Sequence, residues 1–195
     1  GYNIAVELFK SMGGKGNIFV VQGMLGNTSA INRYAGLQKA LAEYPDIKVL
    51  EDDTANWQTS EALTLVETWL SKHADVGGIW CANDSMGTGA LQALDAKGLK
   101  GKVGVVGVDA NTDFVEAIRD GFATATMSSN GYLQGGYTLA VCYAVWTGLL
   151  DVAKFPPEYR EFATPALLVN KDNAAEYLSA VPEFDFSTPF FMKAD

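Results

Sequence analysis

Arg33, Trp57, Asn83 and Asp109 are the residues whose types and positions could do recognition chemistry, because each stands in the chain just beyond an apolar run that reads as a strand. After Ile18 to Val21 come Gln22 and, at the start of the following helix, Arg33; after Ile47 to Leu50 come Asn56 and Trp57. After Gly78 to Ala82 come Asn83 and Asp84, and after Val103 to Val108 comes Asp109. In open α/β sheets ligands bind beyond the carboxyl ends of the strands, where these residues fall. A carboxylate accepts two hydrogen bonds, a guanidinium donates in a planar fork, and an amide does both. With a flat indole added, the set suits a polyol or sugar, whose ring offers apolar C–H faces to an aromatic and hydroxyls that donate and accept. A hydroxyl missing from such a ligand leaves a buried group unpaired, at a cost of about 1–3 kcal/mol, so selectivity would follow from unpaired partners.

Each residue also has a structural reading. Asn83 and Asp84 could cap the helix from Ser85 as readily as touch a ligand. Arg33 taken singly reads as a solvated helix charge. Trp57 lies between polar Asn56 and Gln58 in a loop, which favours stacking on a ligand over core packing. Asp109 ends an apolar strand, where a lone carboxylate needs a partner. His73 reads as a surface histidine near a helix end, and no Ser or Cys has the flanking motif of a nucleophile, so no catalytic residue is expected. Gly13-Gly14-Lys15-Gly16 lacks phosphate-loop spacing and precedes its strand, which makes it a turn. Neither zinc spacing nor an EF-hand loop occurs, and no metal or cofactor is expected.

The elements that must position these residues follow from hydrophobic periodicity. Ile4, Leu8 and Met12 mark a helix stopped by the glycine turn; Tyr34, Leu37, Leu41 and Tyr44 share a face of a helix capped by Thr28 or Ser29 and ended by Pro45. Leu63, Val66 and Leu70 mark a helix opened by Ser60 and Glu61, and further helices are expected over Ser85 to Lys97 and Thr112 to Asp120. A short strand over Ala123 to Met127, a polar loop over Ser128 to Gly131 and a long apolar helix over Leu133 to Leu150 come next. Asp151 to Pro165 reads as loop, Ala166 to Val169 as a strand, and a helix capped near Asp172 follows. The tail from Pro182, with Phe184, Phe186, Phe190 and Phe191, is expected to lie against the body as irregular chain. Strands alternating with helices of this length predict an α/β fold with a doubly wound parallel sheet.

Composition bounds the partners. The chain has 195 residues, 14 Lys plus Arg against 23 Asp plus Glu, and 48% hydrophobic residues, the profile of a folded acidic protein. A net charge of −9 without a basic cluster argues against nucleic acid, whose affinity comes largely from Lys and Arg displacing counterions. Tyr137 to Leu150, the most apolar stretch, is shorter than the ~20 residues that cross a bilayer and predicts a buried core helix. Cys81 and Cys142 fall in an apolar strand pattern and an apolar helix pattern, which suits two buried free thiols.

Gly14-Lys15-Gly16, Thr28-Ser29-Ala30 with Arg33 and Gly36, the stretch Ala82-Asn83-Asp84-Ser85-Met86-Gly87-Thr88-Gly89-Ala90, and Val105-Val106-Gly107-Val108-Asp109 resemble the periplasmic sugar-binding proteins of the ribose-binding type. The likeness continues through Ala117 to Gly121 and Ala125-Thr126-Met127 to Val169-Asn170-Lys171. It implies a periplasmic or extracytoplasmic solute receptor of an ABC importer, in which two hinged α/β lobes close on a monosaccharide or cyclic polyol and present it to a membrane permease, without covalent chemistry. By the same resemblance Arg33, Asn83 and Asp109 match polar sugar contacts and Trp57 an aromatic covering the ring. Ser129 falls where the family often has a longer polar side chain at the hinge, with neighbouring Asn130 as its substitute. Gly1 matches a point well inside the family pattern. The resemblance therefore implies a C-terminal sugar-binding lobe over 1–128, a hinge and remnant of the N-terminal lobe over 129–165, and a return strand, helix and tail over 166–195.

Two other functions compete. Sugar-responsive transcriptional repressors share the fold and the Ala-Asn-Asp pattern, and would need an upstream DNA-reading segment; the stretch from Asp109 to Gly121 is closer to the transport receptors. An enzyme on a doubly wound sheet could use Asp109 as general base, but it would need a paired acid or a metal, and the neighbouring loops offer chiefly Asn, Trp and Arg.

Overall fold

The computed structural model describes residues 1–154, 156 and 164–180. The expected irregular tail lies outside the described residues, as does most of the proline-rich loop, of which the 3-10 turn Val152–Lys154 is described. In chain order the elements are α1 (Tyr2–Ser11), β1 (Gly16–Gln22), α2 (Thr28–Glu43), β2 (Ile47–Thr54), α3 (Thr59–Leu70), β3 (Val76–Cys81), α4 (Asp84–Ala96), β4 (Gly104–Val108), α5 (Thr112–Arg119), β5 (Ala125–Ser128), α6 (Gly131–Trp146), β6 (Leu167–Asn170) and α7 (Ala174–Ala180).

Six strands form one sheet in the order β2-β1-β3-β4-β5-β6. The first five are parallel, as the doubly wound reading expects, while β6, the returning strand, runs antiparallel to β5 at the edge. Strand direction depends on how the chain returns after α6, which no local pattern encodes. The chain moves outward from β1 to β2 and then back past it to β3, so the order reverses between β1 and β3. With right-handed crossovers this separates α2 from α3, α4 and α5 across the sheet. The contacts agree: α1 packs on α2 and over β3, β4 and β5, while α3 packs on α4, and α5 on α4 and α7. Strands covered on both faces bury their apolar runs completely, as Ile18 to Val21 of β1 and Ile79 to Cys81 of β3 do.

Local chemistry sets the helix starts that matter for the site. The cap of α2 is Asn27, whose Oδ1 accepts from the Ser29 and Ala30 N–H groups, one or two residues earlier than the expected Thr28 or Ser29. Pro45 limits α2 as expected, and its last residue is Glu43. Helix α4 begins at Asp84 behind the cap Asn83.

Three further expectations are corrected. The apolar helix α6 has no buried residue, and Trp146 and Leu149 are 81% and 80% exposed. It was expected as a core helix because it is apolar all round, yet among the described residues nothing is layered over it. Cys142, which it carries, is consequently exposed, whereas Cys81 is buried and burial pushes its thiol pKa up. His73 is half-buried, with Nε2 2.9 Å from Glu51 Oε1 and its ring edge-on to Phe19. No helix among the described residues is long and apolar enough to cross a membrane.

Candidate ligand-binding site

Arg33 sits in the second turn of α2, and its guanidinium reaches across the point where strand order reverses. Nη1 donates to the Ala82 carbonyl at the end of β3 (2.6 Å), and Nη2 to Asp109 Oδ1 at the end of β4 (3.2 Å). The two side chains keep 21% and 32% of their exposure, so the pair is open at one side. Arg33 engages Oδ1 of Asp109 and leaves Oδ2 to accept from another donor. Burial raises the Asp109 carboxyl pKa above its usual value and outweighs the opposing effect of the Arg33 charge.

Trp57 meets Arg33 from the β2 side, with the guanidinium 5.5 Å from the ring centroid. Its indole lies over Gly23, where a Cβ would overlap the ring. Glycine just after β1 is thus what admits the indole to the site, a signal visible in the sequence only once the partner is known. Asn56 braces the same turn: its N–H bonds Thr54 Oγ1 (3.2 Å) and its Nδ2 bonds Glu61 Oε2 (2.8 Å). Trp57 is half-buried against the core as well as against Arg33, so part of the structural reading holds for it.

Asn83 and Asp84 divide the roles that sequence left even. Asn83 caps α4, its Oδ1 accepting from the Met86 N–H at 2.9 Å. Asp84 is fully buried and faces inward, accepting from Thr126 Oγ1 (2.7 Å) and from the Asn111 N–H (2.8 Å). Burial pushes its carboxyl up to about 7 against those two hydrogen bonds, which favour the charged form. Gln22 turns away from the site to Asp52 Oδ1 (2.5 Å).

Ser129 lines a cavity of about 450 Å3 together with Asp109, Ala110, Asn111, Thr112, Gly131, Tyr132 and Tyr177. Asn130 is adjacent, with its N–H on Ser128 Oγ (3.1 Å), but is not among the lining residues. The structure therefore joins Arg33, Trp57 and Asp109 directly, adds Asn83 through neighbouring Ala82, and links Ser129 to Asp109 across the cavity. Tyr132 and Tyr177 were missed by sequence reasoning, one in a uniformly apolar helix and the other in a short terminal one. No group of three or more His, Cys, Asp or Glu among the described residues is placed to hold a metal ion.

Backbone strain marks the same region. Among the described residues, the non-glycine positions with positive φ are Asn56, Trp57, Asp109, Ala110 and Asn130, at 48°, 68°, 124°, 57° and 54°. All fall in loops after β2, β4 and β5, and three of them are candidate ligand residues. Such backbone costs about 1–3 kcal/mol per residue and persists where surrounding structure over-determines it, as at ligand sites.

Residues 1–149 match the profile of the periplasmic binding protein domain. The chain belongs to that family. It is similar to the xylitol-binding protein of Mycolicibacterium smegmatis, at 42% identity over 83% of this chain and 44% of the relative. Among solved structures it is similar to a twin-arginine translocation pathway signal protein from Burkholderia phytofirmans, with a TM-score of 0.88 at 34% identity over 91% of this chain and 56% of that one. It is also similar to an ABC transporter periplasmic solute binding protein from Actinobacillus succinogenes with bound D-allose, with a TM-score of 0.82 at 30% identity over 90% and 60%. The chain spans about half the length of the relatives it matches.

Proposed function

We propose that this chain is part of the solute-binding component of an ABC sugar importer, which reversibly binds a monosaccharide or related cyclic polyol in a periplasmic or extracytoplasmic compartment and delivers it to a membrane permease. The observation that carries the reading is the Arg33–Asp109 pair at the reversal of strand order, backed by Trp57. A guanidinium held by one carboxylate oxygen and one carbonyl presents remaining N–H groups and a free carboxylate oxygen side by side, matching hydroxyls that donate and accept. Asn83, Ser129 and Asn130 complete the proposed contact set, and residues 1–128 form the lobe that carries most of it.

The proposed hinge lies where the chain leaves and re-enters this lobe. There Thr164 Oγ1 donates to the Ser129 carbonyl (3.1 Å) and Gln134 Nε2 bonds both Ser129 O (2.5 Å) and Thr164 Oγ1 (3.2 Å), tying the outgoing and returning segments together. Residues 129–165 are read as that hinge and a remnant of a second lobe, and 166–195 as the return. Relatives named for binding xylitol or holding D-allose support transport over the repressor reading. Asp109 already accepts from Arg33 Nη2 (3.2 Å), which suits a carboxylate held as a hydrogen-bonding contact and supports reversible binding.

Isothermal titration of a longer chain containing this sequence with xylitol, D-ribose and D-allose tests the reading. Saturable binding of at least one is expected, weakened about thirtyfold or more by Asp109→Ala, which strands the Arg33 charge, with the ligand recovered unchanged. Absence of binding across the panel, or a chemically altered ligand, would overturn it.

A further inference from the structure

Asp109 and Ala110 are consecutive non-glycine residues in left-handed backbone, with φ of 124° and 57°. A turn of that kind does not hold itself, because each residue would relax to negative φ if released. Its N–H groups show what restrains it. Asp109 N–H donates to the Met127 carbonyl (2.8 Å), Ala110 N–H to Thr126 Oγ1 (3.2 Å), and Asn111 N–H to Asp84 Oδ2 (2.8 Å). The Thr126 hydroxyl in turn donates to Asp84 Oδ1 (2.7 Å). One buried hydroxyl and one buried carboxylate thus receive two successive backbone donors and join each other, linking β5, the start of α4 and the turn after β4. Room for the carboxylate comes from Gly107 of β4, where a Cβ would overlap Asp84 Oδ1.

Thr126 and Asp84 are buried and are not among the residues lining the cavity beside Asp109. We propose that they are positioning residues of the polyol site: the Thr126–Asp84 pair clamps the Asp109–Ala110 turn in its left-handed form and thereby aims the Asp109 carboxylate at Arg33 and the ligand. The inference rests on the binding function proposed above for its ligand, but its geometry can be read without one. Clamping in advance spares the ligand the cost of ordering the turn, so loss of the clamp appears as lost affinity.

The test compares Thr126→Val, which keeps the shape and removes the hydroxyl, with Thr126→Ser, which keeps the hydroxyl. In the ligand-free protein, amide hydrogen exchange at Ala110 and Asn111 should accelerate about tenfold or more in T126V relative to the amides of β3, and stay near wild type in T126S, because one variant loses a buried bond and the other does not. Xylitol, D-ribose or D-allose, whichever binds the wild type, should bind T126V about tenfold more weakly and T126S within about twofold. Adding Ala110→Gly to T126V should recover more than half of that loss on a logarithmic scale, since glycine occupies φ near 57° without strain. A role confined to stability would lower the urea midpoint of T126V while leaving the affinity of the folded protein unchanged. If T126V does not fold, Thr126→Ala is read in its place.

Unchanged exchange at Ala110 and Asn111 in T126V, equal losses in T126V and T126S, or no recovery with glycine would each overturn the proposal. Failure of the wild type to bind any of the three polyols would instead remove the function reading, and the exchange comparison would still decide whether the clamp exists.

Discussion

Asp84 and Asn83 are neighbours with opposite fates, and the burial of Asp84 makes folding stability depend on pH. Asn83 spends its oxygen on the Met86 N–H, while Asp84 is carried to the interior and titrates at about 7 instead of 3.8. A carboxyl whose pKa is raised by folding binds more protons in the folded state between the two values. Its contribution to stability is therefore fully present below 3.8 and is lost as pH rises through about 7. Asp84→Asn removes that slope. Urea titrations across this range should show the variant gaining on the wild type as pH rises, with the difference levelling off above the upper value; a constant difference would mean that Asp84 keeps an ordinary pKa. Residue types after each strand were legible in the sequence, but partners were not. Arg33 alone looked solvated, because its carbonyl and carboxylate lie 49 and 76 residues away and only the fold brings them together.

At the scale of elements, the legible features are those whose cause is local. Apolar periods, Pro45 and the glycine turn located nearly every helix and strand to within a few residues, since capping and hydrophobic spacing act over one or two turns. The extension of β2 from Leu50 to Thr54 was not visible, because Glu51, Asp52 and Asp53 carry no apolar signal although they pair in register with β1 at the sheet edge. Close helix approach was also hidden. Helices α3 and α4 meet at Gly89, where a Cβ would overlap the Thr59 carbonyl oxygen and crowd Ala62 Cβ at 3.1 Å. The obstacle is backbone, which cannot rotate aside as a flexible side chain can. Gly89→Ala should cost about 2 kcal/mol in urea unfolding despite the better helix propensity of alanine. A neutral or stabilising effect would show that the two helices separate freely. Because α4 carries Asn83 at its start, such separation would also loosen the cap beside Arg33.

For the whole molecule, the decisive contrast is between a sheet layered on both faces and α6, which leaves it. Ile4, Leu8, Phe9 and Phe114 are fully buried around the sheet, whereas Tyr143, Trp146 and Leu149 of the outgoing segment are exposed. Sequence alone assigned this helix to a core, and by composition the assignment is sound: a helix apolar on all sides is stable in water only when covered. An isolated helix of 16 residues is marginal by itself. In a monomer of this chain, α6 amides should therefore exchange faster than those of β1 and β3 by about the ratio expected between local fraying and global unfolding. In a longer chain that supplies a covering layer, the same amides should become as slow as the strands. Slow exchange of α6 in the monomer would mean that the helix folds back onto its own chain, and the proposal of a hinge and lobe remnant over 129–165 would lose its basis. Fast exchange that slows only in the longer chain would tie the apolar composition of α6 to a partner layer, which is the arrangement that two lobes joined at Ser129 and Thr164 require.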